Sequence, residues 1–134
     1  MADIYEKEVV YQSADVNIPT TTETVVVSSG PVRAPVPTFR AHVQAWFQIA
    51  TGAGTTGFTP RIRRGTATSG TLVGQAISMI IVAAAGSQEM QFIDVVEERA
   101  GEASVEYSLT VEQGGATGNG TVLQAAISVE ILGG

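Results

Sequence analysis

Hydrophobic and polar residues alternate most regularly near the C-terminus. Val105, Tyr107, Leu109 and Val111 interleave with Ser104, Glu106, Ser108, Thr110 and Glu112. After the glycine-rich run 114–120, Leu123, Ala125, Ile127, Val129 and Ile131 interleave with Gln124, Ala126, Ser128 and Glu130. A period of two means strands with one face buried and one wet. Two strands joined by a glycine-rich turn are therefore expected, the last long enough to take partners on both edges. Thr38 to Ile49 repeats the pattern: Phe39, Ala41, Val43, Ala45, Phe47 and Ile49 point one way, and Arg40, His42, Gln44, Trp46 and Gln48 the other.

Shorter segments complete the set. Thr24 to Val27 reads as a strand ending at Ser28-Ser29-Gly30, and Pro31, Pro35 and Pro37 mark a crossing between sheets or a sheet edge, because proline cannot donate to a ladder. Phe58 to Arg64 is expected as a strand with Phe58 and Ile62 inward, Pro60 suggesting an edge. Leu72 to Val82 has a mixed period; its glycine-rich flanks and Ile/Val content favour strand over helix. Glu89 to Glu97 is read as a strand with Met90, Phe92 and Val96 inward, followed by a charged loop to Gly101. Residues 1–21 are acidic and ragged, a frayed terminus or an arm that orders against a neighbouring subunit through Tyr5, Val9 and Tyr11. The expectation is an all-β chain: an arm over 1–21, then an eight-stranded jelly-roll-like β-sandwich over 22–134, with an immunoglobulin-like sandwich as the alternative.

Composition narrows the function. With no cysteine, disulfides and thiolate metal sites are excluded. A net charge of −6, with Lys7 the only lysine, argues against nucleic acid as a partner. The first ten residues do not resemble a secretory leader, and the apolar run Met79 to Ala85 is too short to span a bilayer, so no membrane partner is expected.

Candidate chemistry is sparse. His42 is the only histidine, with Arg40 and Gln44 beside it on its strand rather than metal ligands. The alternation puts Glu106, Glu112 and Glu130 on solvent faces, and no carboxylate pair stands in an apolar setting as glycoside hydrolysis requires. There is no Gly-x-Ser-x-Gly elbow, and the glycine-rich run 51–57 lacks the lysine and helix of a phosphate loop. No enzyme activity, catalytic residue, cofactor or metal is expected. Asn119-Gly120-Thr121 matches a glycosylation acceptor but also a tight turn. Arg61, Arg63 and Arg64 form the only basic cluster, paired either with acidic neighbours in the same domain or with a partner. Trp46, alone on a polar face, is an interface anchor, ordinary packing under a loop, or a platform for a sugar.

The stretches 51–57, Arg61-Ile-Arg-Arg-Gly-Thr-Ala-Thr-Ser-Gly-Thr-Leu and Gly118-Asn-Gly-Thr-Val-Leu-Gln-Ala-Ala-Ile-Ser-Val-Glu-Ile-Leu together resemble small β-rich virion proteins of tailed bacteriophages, of the capsid decoration type. That resemblance, over about Thr38 to Leu132, implies a structural protein on the outer capsid surface of a virion, commonly a homotrimer, docked on a major capsid protein. The expected interface residues are then Tyr5, Val9, Tyr11, Trp46, Arg61, Arg63 and Arg64. One alternative is a receptor- or glycan-binding module of a phage fibre or spike, reading its ligand through the loops at 51–57 and 114–120. A weaker one is a barrel carrying a small apolar ligand.

Overall fold

A computed structural model describes residues 4–19, 22–51, 56–74, 80–82, 88–114 and 120–133. They form twelve strands and, among the described residues, no helix: β1 (Ile4–Tyr11), β2 (Val16–Ile18), β3 (Glu23–Ser28), β4 (Val32–Arg33), β5 (Thr38–Thr51), β6 (Thr56–Arg64), β7 (Leu72–Val73), β8 (Ile80–Val82), β9 (Gln88–Ala100), β10 (Ser104–Val105), β11 (Tyr107–Gly114) and β12 (Gly120–Leu132). One sheet has the order β1-β12-β5-β9, with β2 continuing the β1 edge along β12. The other has the order β3-β11-β6-β7, with β8 continuing the β7 edge along β6. The ribbon β4–β10 closes one end with Val32 and Val105, both buried. The sandwich has eight strand positions, four per sheet, two of the edges being built from two short strands each; one of these edges, β1 with β2, comes from residues 1–21, outside the expected 22–134.

All pairing is antiparallel and nested: β1 with β12, β3 with β11, β5 with β9, and β6 with β7 and β8. Such nesting is a long hairpin rolled on itself, and β12–β5 and β11–β6 ladders close the two sheets. This is the jelly-roll form of the sandwich. β11 and β12 fall in opposite sheets, so they do not form a hairpin, and residues 115–119, between them in sequence, lie outside the described residues. Residues 52–55 and 75–79 also lie outside the described residues, as do Asn119 and the middle of the expected Leu72 to Val82 strand.

The core follows the alternation. Phe39, Ala41, Val43, Ala45, Phe47 and Ile49 of β5 are all buried, facing Leu109 and Val111 of β11 and Phe58 and Ile62 of β6. β12 takes partners on both edges, as its length suggested. Pro60 sits on β6 between the stretch paired with β8 and the stretch paired with β7, where no outer partner among the described residues asks it for a donor. At Gly120 a Cβ would lie 2.6 Å from the Phe58 ring, so β12 can start there only with glycine.

Three expectations are corrected. Residues 4–11, expected as an arm, form the edge strand of a sheet: β1 runs in register with β12 from Ile4↔Leu132 to Tyr11↔Ala126, with one irregularity, and Val10 packs against the core. A central β12 with an apolar inner face needs a neighbour on this side, and the short apolar patch Val9-Val10-Tyr11 supplies it. In β12, Val122 rather than Leu123 is inward at the start of the strand, because a bulge between Val122 and Gln124 shifts the phase. In β9 the phase is inverted throughout. Ile93 is buried and Val95 half-buried against the core, whereas Met90, Phe92 and Val96 are 58, 58 and 56% exposed.

Candidate interface on the outer face of a sheet

The register assembles the outer face of the β1-β12-β5-β9 sheet in cross-strand rows. One row is Tyr11, Ala126, Trp46, Phe92; the next is Val9, Ser128, Gln44, Asp94; the third is Lys7, Glu130, His42, Val96. Gln48 and Met90 begin a further row, and Leu132, Arg40 and Glu98 end the series. Directly opposed side chains on one face lie about 4.5–5.5 Å apart at Cβ, so these rows are contacts. Trp46 and Tyr11, separated by β12 and its small Ala126, meet edge to face with ring centroids 6.1 Å apart and planes at 78°. Aromatic and aliphatic surface therefore runs across the sheet from Tyr11 (68% exposed) and Val9 through Trp46 to Phe92, with Met90 and Val96 on either side of Phe92 along β9.

One polar cluster interrupts it. His42 Nε2 lies 2.6 Å from Asp94 Oδ1 and Nδ1 lies 3.1 Å from Glu130 Oε1. Both carboxylates come from neighbouring strands and were invisible to a reading of β5 alone. With a carboxylate at each nitrogen, the doubly protonated ring is the form that donates to both. One ring cannot direct both nitrogens at one ion, and among the described residues no cluster suited to a metal is present.

The opposite outer face is closed. Glu23 accepts from Arg63 through Nε (2.5 Å) and Nη2 (2.9 Å), from Arg61 Nη1 (3.3 Å) and from Thr110 Oγ1 (2.6 Å). Arg61 also reaches Glu112 at 2.7 Å, and Arg63 donates to the Gly70 carbonyl at 2.9 Å. Burial alone would raise the Glu23 pKa, but the donors Arg63 and Thr110 and the charges of Arg63 and Arg61 hold it below the ordinary value.

A third cluster ties the sheets together at one end. Tyr107 on β11, fully buried, donates its hydroxyl to Glu97 Oε2 of β9 at 2.7 Å and accepts from Arg99 Nη1 at 3.0 Å. Arg64 of β6 donates through Nε to Glu97 Oε1 at 2.8 Å, and Arg99 Nε reaches Glu102 at 2.9 Å. Burial opposes ionisation of Glu97, yet hydrogen bonds from Arg64 and Tyr107 and the two arginine charges keep it below its ordinary pKa. Burial, together with the Glu97 carboxylate, pushes the Tyr107 phenol well up. This end of β9 explains the inverted phase: Glu97 and Arg99 can turn inward because Arg64, Tyr107 and Glu102 meet them.

The seven expected interface residues thus separate. Val9, Tyr11 and Trp46 lie together on the outer face of one sheet. Tyr5, on the same edge strand, packs its ring against Gly133. Arg61, Arg63 and Arg64 are held in ion pairs within the chain. Phe92, Met90 and Val96 join the face unforeseen, because both parities of β9 carry apolar residues and the sequence offers no tie-break.

No protein-family model matches the chain, and no curated protein sequence matches it. Solved structures share its fold. The chain is similar to one in the T13 particle of infectious bursal disease virus, with 12% identity over 92% of this chain and 31% of that one and a TM-score of 0.58. The VP2 protein of the same virus in T=1 particles gives 12%, 92%, 31% and 0.53, and the Gx strain of that virus gives 18%, 99%, 32% and 0.52. The chain spans about a third of the length of these structures; at such identities the likeness is one of fold, a jelly-roll sandwich of the kind found in viral particles.

Proposed function

We propose that this chain is a structural virion protein that reinforces a capsid, associating with copies of itself as a homotrimer and with the major capsid protein at the outer surface. The observation that carries this reading is the asymmetry of the two outer sheet faces. One is closed by internal ion pairs. The other leaves Tyr11, Phe92, Met90 and Val96 largely in water around Trp46. An exposed apolar surface that also contains Trp and Tyr is the composition of an interface centre. The jelly roll shared with viral-particle chains supports the setting, and so does the resemblance to decoration proteins. A standard interface takes about 800 Å² from each partner, and a face four strands wide can supply that.

The test is the double variant Met90→Glu/Phe92→Glu, compared with the parent by native mass spectrometry and by co-sedimentation with capsids. The variant is expected to fold with the parent's circular dichroism and melting temperature but to run as a monomer and fail to co-sediment. Assembly of the parent should tolerate salt, since apolar burial is not screened. A parent that is monomeric and does not bind capsids, or a variant that assembles unchanged, refutes the proposal.

A further inference from the structure

A groove of about 310 Å³ opens beside the aromatic pair, where β1 ends and turns toward β2. Its walls are Tyr11 from the end of β1, Gln12 and Asp15 from the turn, Trp46 from β5, and Leu123 and Gln124 from the bulge in β12. The bulge shapes the groove: it leaves Leu123 without a partner on β5 while Gln124 pairs with Gln48, and the turn is pinned over this stretch by Gln12 N donating to the Ala125 carbonyl at 2.9 Å. The size falls within the range of small-molecule sites.

We propose that this groove binds a neutral pyranose ring. Tyr11 and Trp46 stand nearly perpendicular, giving a floor and a wall of aromatic surface. A pyranose has one face of C–H bonds that packs on such a ring and a rim of hydroxyls that needs paired donors and acceptors. The rim partners are in place and unused. Gln12 Nε2 donates to the Val122 carbonyl at 2.9 Å, which identifies Oε1 as the free acceptor, and that oxygen is buried without a donor. A buried acceptor left unpaired is costly, so a ligand hydroxyl that reached it from the groove lined by Gln12 would relieve that cost. The Asp15 carboxylate, the Tyr11 hydroxyl and the Gln124 amide have no protein partner among the described residues and lie at the same groove. Among the described residues Asp15 is the only charged group in the lining, and the chain carries a net charge of −6. An anionic sugar is therefore disfavoured and a neutral hexose, deoxyhexose or N-acetylhexosamine favoured. The expected glycan loops at 51–57 and 114–120 are not among the described residues that line the groove; the site lies where the β1–β2 turn meets β5 and the bulge of β12.

Trp46 is the only tryptophan, so its fluorescence reports on the groove directly. The full chain is titrated with the methyl glycosides of glucose, galactose, mannose, fucose, N-acetylglucosamine and N-acetylgalactosamine, and with sialyllactose as the anionic control. At least one neutral glycoside should give a saturable change, and sialyllactose none. Asp15→Asn should weaken binding about tenfold or more, the loss of hydrogen bonds to a charged acceptor. Trp46→Ala should abolish ligand signals in saturation-transfer NMR, while Val96→Ala, on the same face but outside the groove, should leave the affinity within about twofold. A flat titration across the panel, or equal weakening by Asp15→Asn and Val96→Ala, overturns the inference. Either outcome leaves the assembly reading standing, because the variant that tests it, Met90→Glu/Phe92→Glu, lies on β9 outside the groove.

Discussion

Replacing Glu97 by Ala should be among the costliest changes outside the apolar core. Its carboxylate, 12% exposed, takes hydrogen bonds from Arg64, Arg99 and Tyr107 and so joins β6, β9 and β11 at a single point. Without it the Tyr107 hydroxyl loses its acceptor in a fully buried position. Arg99 keeps Glu102. Arg64, 40% exposed, can turn to water, so its share is discounted. Breaking a buried pair by removing one partner costs about 3–5 kcal/mol; with Arg64 discounted and Arg99 still paired, about 3 kcal/mol remains. For a chain of 134 residues that is a fall in Tm of about 10 °C. Urea unfolding followed by circular dichroism at neutral pH measures it, with the slope unchanged. Glu97→Gln, which keeps an acceptor for Tyr107 but not the charge, should fall between. The pH dependence has a definite sign. The folded pKa of Glu97 is depressed from 4.5, so in the window between the two values the unfolded chain binds more protons and stability rises with pH. The stabilisation is complete above the ordinary carboxylate range and lost as the pH falls through the folded value, so parent and Glu97→Ala should converge in acid. A loss below about 1 kcal/mol at neutral pH would show that the cluster does not hold the sheets together.

Two further outcomes test the fold. Gly120→Ala places a methyl 2.6 and 2.7 Å from Phe58 Cε1 and Cζ and 3.5 Å from Ile49 Cδ1; because Phe58 is buried, the cost should be about 1–3 kcal/mol in urea, and a neutral substitution would mean that β12 does not enter the sheet there. Deleting residues 2–11 removes β1 and leaves the β12 edge unpaired, so amide exchange along Val122 to Ile131 should accelerate and the melting temperature fall; an unchanged melting curve would return this segment to the status of a detachable arm.

The parts of this fold legible in the sequence are those where one parity is unambiguous. In β5 every odd position from Phe39 to Ile49 is apolar, and the even positions are polar apart from Trp46, so burial and even the odd placement of Trp46 could be read directly. β9 shows the limit. Met90, Phe92 and Val96 compete with Ile93 and Val95, and the deciding fact, that Glu97 and Arg99 find Arg64, Tyr107 and Glu102 at the end of the sandwich, depends on strands distant in sequence. His42 was opaque for the same reason: Asp94 and Glu130 become its neighbours only through the β5–β9 and β5–β12 registers. The bulge at Val122/Gln124 left no local mark either, since Val122 and Leu123 are equally apolar and only the fit against Ile49 and Gly120 selects Val122 as the inward residue.

The ion pairs also bear on how the proposed assembly can work. Arginine–carboxylate pairs between subunits were one expected source of register. Of the seven basic side chains, however, Arg61, Arg63, Arg64 and Arg99 are committed to Glu23, Glu112, Glu97 and Glu102 within the chain. Breaking such a pair to form another across an interface exchanges one desolvated contact for another and gains little. What the chain keeps in reserve is apolar area, concentrated by the nested topology on one outer face: β1 and β9, the two edges of that sheet, carry Tyr11, Val9, Met90, Phe92 and Val96, and β5 places Trp46 between them. Specificity on such a face must come from shape and from the few polar groups embedded in it. The chief of these is His42, held between Asp94 and Glu130, so a partner covering Val96 and Phe92 would have to cover, or hydrogen-bond to, this cluster as well.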